Sequence, residues 1–160
     1  MVRCHLPGMI WLVLMTSGVW GESQPQPPEA TISLAGTESG RLYALAFSPD
    51  GKWLAVGGTG KNLHIVDVAA LRLHRTILAH PDAVWSVAWS ADSRQLFSGG
   101  RADPVLRVWD AATGAELESF LGHRGGITAI RTFDSGDGLM TAGGSWDPSL
   151  RVWSVAGRKL

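Results

Sequence analysis

A segment that recurs at intervals of 43 and 44 residues limits what this chain can fold into more than any other feature. Leu106–Asp110 (LRVWD) and Leu150–Ser154 (LRVWS) are near-copies, and Val66-Asp67 closes a weaker version 43 residues before Asp110. A period of this length marks a repeat architecture, in which each unit buries its apolar face only against the next.

Three copies align. Each opens on an alternating strand, at Arg41–Phe47, Val84–Trp89 and Ile127–Phe133, followed by a turn at Ser48–Gly51, Ser90–Ser93 and Asp134–Gly138. A short apolar strand then runs into a double glycine, Gly57-Gly58, Gly99-Gly100 and Gly143-Gly144, and a third strand ends at Asp67, Asp110 and Ser154. Arg72–Leu78 and Glu116–Leu121 read as fourth, outermost strands whose charged positions protect a sheet edge. Short strands rich in Val, Ile, Leu and Trp, split by turn residues at regular spacing, argue for an all-β array.

These motifs resemble the tryptophan-aspartate (WD) repeat family over residues 31–160, with the second copy fullest and the first degraded. The resemblance implies an all-β fold of β-propeller blades, each of four antiparallel strands, here an incomplete ring of about three blades. The domain reading is a signal peptide at 1–21, a Pro/Gln-rich linker at 22–30 and propeller repeats at about 36–78, 79–121 and 122–160, the last without its outer strand. Ala30–Leu34 is a candidate extra outer strand.

In this family a His, a Ser or Thr, an Asp and a Trp form a structural hydrogen-bonded network. The resemblance carries it onto His80, Asp103 and Trp109 in the second copy and onto His123, Asp147 and Trp153 in the third. The hydroxyl position falls on Gly99 and Gly143, so both networks are expected to lack their middle member. A Ser98 hydroxyl is expected to point the other way, because successive strand residues face opposite sides. Repeat-equivalent His and Asp pairs on successive blades argue for structure over general-base catalysis. Arg107 and Arg151, two residues before each Trp, are expected to stack on the indole.

Eight of the 13 aromatic residues are Trp, and six of these follow residue 21. Wide flat rings suit the wedge between stacked sheets, so Trp85, Trp89, Trp109 and Trp153 are expected to pack, with Trp85 and Trp89 alternating on one face of their strand. Trp146, Arg101 and Arg124 are the candidate contacts on the rim of the ring.

His64, His74, His80 and His123 offer no zinc-ligand spacing, and Asp134–Gly138 reads as a strand-connecting turn in preference to a calcium loop. No catalytic, cofactor-binding or metal residues are expected. The 14 basic and 14 acidic residues balance, which gives no electrostatic case for nucleic acid or an anionic membrane surface.

Met9–Met15 is an uninterrupted apolar run behind Arg3, followed by small residues, the layout of a secretory signal peptide. Cleavage is expected after Gly21, with Gly18 next, giving a secreted or periplasmic protein with no membrane insertion. An uncleaved anchor is the competing reading. Cys4 would leave with the leader, so the mature chain would form no disulfide.

The functional expectation is a non-catalytic protein–protein interaction scaffold for a protein or peptide ligand, without cofactor, as the amino-terminal part of a larger propeller. Open blade faces predict self-association, and a short protein whose copies form a ring is the runner-up. The alternative function is an accessory or substrate-binding module of an exported enzyme or redox protein. A decayed fragment without independent function is the third reading.

Overall fold

The computed structural model describes residues 31, 32, 34, 40–133, 138–143 and 147–155, with backbone alone for 138–143. The described residues include eleven strands and no helix. The first antiparallel sheet has the order β1 (Leu42–Phe47), β2 (Trp53–Gly58), β3 (Asn62–Asp67), β4 (Arg72–Leu78). The second repeats it with β5 (Val84–Trp89), β6 (Gln95–Gly100), β7 (Leu106–Asp110) and β8 (Glu116–Phe120). The third comprises β9 (Ile127–Phe133), β10 (Gly138–Gly143) and β11 (Leu150–Ser154). These are two four-stranded blades and a three-stranded one, without a closed ring.

Turn chemistry is set locally. The Ser48 hydroxyl donates to Asp50 at 2.6 Å and the Asp50 carboxylate accepts the Lys52 amide at 3.1 Å. Ser90 and Asp92 repeat both contacts at 2.6 and 3.1 Å. Gly51 takes a φ of 73° in the first turn and Ser93 a φ of 61° in the second. In the first two blades the Asp that ends the third strand caps the next turn: Asp67 accepts the Ala70 amide at 2.9 Å, and Asp110 the Thr113 amide at 2.7 Å.

The core lies between blades. Ala55, Leu63, Ile65 and Ile77 of the first pack against Val87, Trp89, Leu96 and Trp109 of the second. Ala88, Phe97, Leu106 and Val108 of the second meet Ile127 and Ile130 of the third. The innermost strands lie side by side, β1 on β5 and β5 on β9.

The sequence period returns as bonds across these seams. The Trp89 indole donates to the Ala46 carbonyl at 2.9 Å, Thr132 donates its hydroxyl to the Trp89 carbonyl at 3.2 Å, and the Asp50 amide donates to Ser93 at 3.1 Å, each pair 43 residues apart. Arg75 adds a clamp, donating to the Thr113 and Ala112 carbonyls at 2.9 and 2.7 Å.

The double glycines make the seams close. A side-chain carbon on Gly57 would stand 2.7 Å from Val84 of the next blade, and one on Gly99 would stand 2.6 Å from Ile127. Of Ala30–Leu34, the described Thr31, Ile32 and Leu34 are not in a strand. The leader, the linker, Trp146 and 134–137 lie outside the described residues.

Candidate functional site: a sealed hydrogen-bond network and an exposed rim

The second blade holds its His, Asp and Trp in one connected set. His80 Nδ1 lies 2.8 Å from Asp103 Oδ2, and His80 Nε2 lies 2.8 Å from the Ser98 hydroxyl. Trp109 Nε1 donates to the same hydroxyl at 2.8 Å. A carboxylate only accepts, so Nδ1 carries the proton, Nε2 accepts from Ser98, and the Ser98 oxygen accepts from Trp109. Desolvation pushes the imidazole below its ordinary 6.5, against the pull of Asp103, in keeping with this neutral tautomer.

Ser98 therefore supplies the hydroxyl that the sequence reading assigned to Gly99. The register explains the correction. Ser98 pairs with Arg107 and Leu96 with Trp109, so Ser98, Leu96, Arg107 and Trp109 share one face of the sheet. The reading was displaced by one residue, and a one-residue shift exchanges faces. In the third blade Thr141 holds the matching register position, opposite Arg151.

Ser98, His80 and Asp103 have the connectivity of a hydrolytic triad, but they are sealed. Ser98 is 0% and His80 3% exposed, and the Trp109 indole blocks the remaining side of the hydroxyl. A substrate carbonyl has no approach to that oxygen. This arrangement can fix the β6–β7 hairpin to the entry of β5, and it cannot perform acyl transfer as it stands.

The third blade repeats the outer part. His123 Nδ1 lies 2.7 Å from Asp147 Oδ2, which also accepts the Arg124 amide at 2.9 Å. Hydrogen bonds led by the Ser149 hydroxyl, then the Arg124 amide and His123, hold the Asp147 carboxyl far below the usual carboxylate range. Trp153 packs on Phe120 of the second blade with ring centroids 5.4 Å apart.

Arg107 is engaged electrostatically, with Asp103 at 3.2 Å and both Glu116 oxygens at 3.1 Å. Of the histidines weighed as metal ligands, His64 bonds Thr76 at 3.0 Å and His74 lies on Trp53, ring centroids 4.5 Å apart. Among the described residues no group of His, Cys, Asp and Glu is arranged to hold a metal.

The exposed feature is elsewhere. In each innermost strand one residue is extra to the ladder: Tyr43 between Leu42 and Ala44, Trp85 between Val84 and Ser86, and Thr128 between Ile127 and Ala129. A bulge of this kind bends the strand and re-aims the side chain. It also breaks the expected alternation of Trp85 with Trp89. Trp89 is 4% exposed in the first seam, whereas Trp85 is half-buried at the rim.

Tyr43, Trp85, Arg101 and Thr128 line one shallow depression there. Trp85, Arg101, Pro104, Arg124 and Gly126 line a neighbouring cleft of about 500 Å³ at the second seam. Arg101 is anchored by Asp82 at 3.0 Å, and a side chain on Gly126 would overlap the Arg101 carbonyl. Sequence reasoning named Arg101 and Arg124 but not Tyr43 or the rim place of Trp85. The available signal was the double glycine, which faces the bulge in the first two blades as Gly57-Gly58 and Gly99-Gly100.

Residues 28–67, 71–110 and 114–154 each match the family model "WD domain, G-beta repeat". The chain belongs to the WD-repeat family. The WD repeat-containing protein 26 homolog of Arabidopsis thaliana is 30% identical over 108 residues, 66% of this chain and 18% of that protein. Protein groucho of Drosophila melanogaster is 31% identical over 128 residues, 78% of this chain and 17% of that protein. Among solved structures, that of U3-55K is similar with a TM-score of 0.64 and 30% identity, covering 72% of this chain and 34% of that one. The WD-repeat chain thus spans about a fifth or less of the length of these curated relatives.

Proposed function

We propose that this chain is a non-catalytic WD-repeat interaction scaffold that holds a protein or peptide ligand against the rim carrying Tyr43, Trp85, Arg101 and Arg124. One observation carries the reading. The bulge in every innermost strand brings Tyr43, Trp85 and Thr128 to the same end of the blades, beside a cleft at a seam. WD-repeat proteins are usually interaction scaffolds, which agrees with this use of the rim. Aromatic and arginine side chains are also the residues that most often dominate binding energy.

Further repeats of the same kind cover the two outer blade faces in the working protein. Support comes from apolar side chains exposed on those faces, Leu45 and Phe47 at one end and Leu150 and Val152 at the other. The protein acts outside the cytoplasm, secreted or periplasmic, a reading that rests on the apolar run Met9–Met15 and the small residues after it. Mass spectrometry that finds Met1–Gly21 retained overturns the export reading.

The rim reading is tested by a photo-crosslinking amino acid in place of Trp85 or, on the opposite rim, in place of Asp92. Adducts from position 85 and not from position 92 are expected. Adducts from position 92 alone overturn it.

A further inference from the structure

The neutral total charge hides an asymmetry between the two rims. At the Trp85 end, Arg41, Lys61, Arg101 and Arg124 are exposed among the described residues. Three carboxylates lie there as well. Asp103 and Asp147 are buried and bonded to His80 and His123, and the half-buried Asp82 is engaged by Arg101. The opposite rim carries Asp50, Asp67, Asp92 and Asp110 against Lys52, Arg72 and Arg94. The accessible excess of cations is therefore confined to the end that carries the bulged aromatic side chains.

The cleft at the second seam concentrates the available donors. Arg124 lines it, and its guanidinium has no hydrogen-bond or ion-pair partner among the described residues. The Trp85 indole N–H likewise makes no hydrogen bond among them, and its ring forms the wall beside Arg101. An unpaired guanidinium offers a planar fork that matches a carboxylate. The indole adds an apolar wall and one further donor for a peptide carbonyl.

We infer that this cleft takes a linear acidic peptide, with Arg124 and Arg101 receiving its carboxylates and Trp85 receiving an adjacent apolar side chain and backbone carbonyl. This rests on the rim reading under Proposed function and adds the chemistry of the ligand. A nucleic acid fits less well. Its phosphates repeat at every residue, the Asp82 carboxylate interrupts the strip, and the chain as a whole is neutral. A peptide places its charges selectively.

The test uses the full chain and fluorescence anisotropy with three labelled probes: a Glu-Gly-Leu repeat peptide, its Lys-Gly-Leu counterpart and a short oligothymidylate. The acidic peptide is expected to bind, to weaken as salt rises, and to lose about tenfold in affinity with Arg124→Glu. Arg124→Glu is expected to melt like the parent, because the side chain it replaces is exposed and unpaired. The Lys peptide is expected not to bind.

No binding of the acidic peptide, equal binding of the Lys peptide, tighter binding of the oligothymidylate, or indifference to Arg124→Glu each overturns the inference. If the acidic preference fails but Trp85→Ala still weakens whichever peptide binds, the rim remains the docking surface and only its ligand class is wrong. If neither Trp85→Ala nor Arg124→Glu alters any binding, the rim reading falls as well.

Discussion

Leu106 and Leu150 hold the same place in successive blades, yet Leu106 is 0% exposed and Leu150 is 63% exposed. Their neighbours repeat the contrast, Val108 at 0% and Val152 at 54%. The difference is the covering blade. Ile127 and Ile130 seal the first pair, and no described element lies over the second.

The chain by itself is therefore expected to self-associate through Leu150 and Val152 and through Leu45 and Phe47 at the other end. Sedimentation at rising concentration should show oligomers, and Leu45→Glu combined with Leu150→Glu should shift the chain toward monomer. A monodisperse parent monomer would contradict this. Truncating Leu106 to Ala should cost about 2–5 kcal/mol, whereas Leu150→Ala should change monomer stability by less than about 0.5 kcal/mol.

Ser98→Ala leaves His80 Nε2 and Trp109 Nε1 buried without a partner. A loss of about 1–3 kcal/mol per orphaned group is expected in denaturant unfolding, with Ser98→Thr recovering most of it. An unaffected Ser98→Ala would show that the hydroxyl is dispensable.

How far the sequence revealed this arrangement depended on the kind of signal. The outer strand Arg72–Leu78 was legible from its alternation and turn residues. The period announced repeated blades, while the bonds that link Ala46, Trp89 and Thr132 at that spacing are visible only in the structure. Ser98 was misassigned because alignment of repeats by their glycines slipped by one, and only the ladder with β7 shows which face a residue occupies. The place of Trp85 was hidden for a related reason. One extra residue breaks the alternation without altering composition, so the expected pairing of Trp85 with Trp89 on one face failed at the bulge.

Gly99→Ala should be costlier than its size suggests. The added methyl would meet Ile127 at 2.6 Å and the Ser86 hydroxyl at 2.7 Å. Overpacking of this kind costs about 1–3 kcal/mol. Gly51→Ala meets no atom within 4 Å and carries only the strain of its φ of 73°, about 1–2 kcal/mol. Thermal melts of the two variants, with amide exchange at the second seam, distinguish a seam defect from a turn defect.

Acid should destabilise the chain in two stages. Burial depresses His80 below 6.5 in the folded state, so the unfolded chain takes up that proton first and stability falls as pH drops through about 6.5. His64, also lowered by burial, acts in the same direction. Asp147 is depressed below 3.8, so its contribution is present above that value and is lost on further acidification. The His80 slope is at most about 1.4 kcal/mol per pH unit. Melting between about pH 8 and pH 5 should fall in the parent and fall less steeply in His80→Gln; parallel curves would remove His80 as the cause.

Hydrogen–deuterium exchange of the full chain with and without the acidic peptide shows directly which rim the ligand occupies. Added protection is expected at 82–86, 100–104 and 123–127, the rim around Trp85. Protection at 48–52, 90–94 and 110–115 instead, on the opposite rim, would contradict the account.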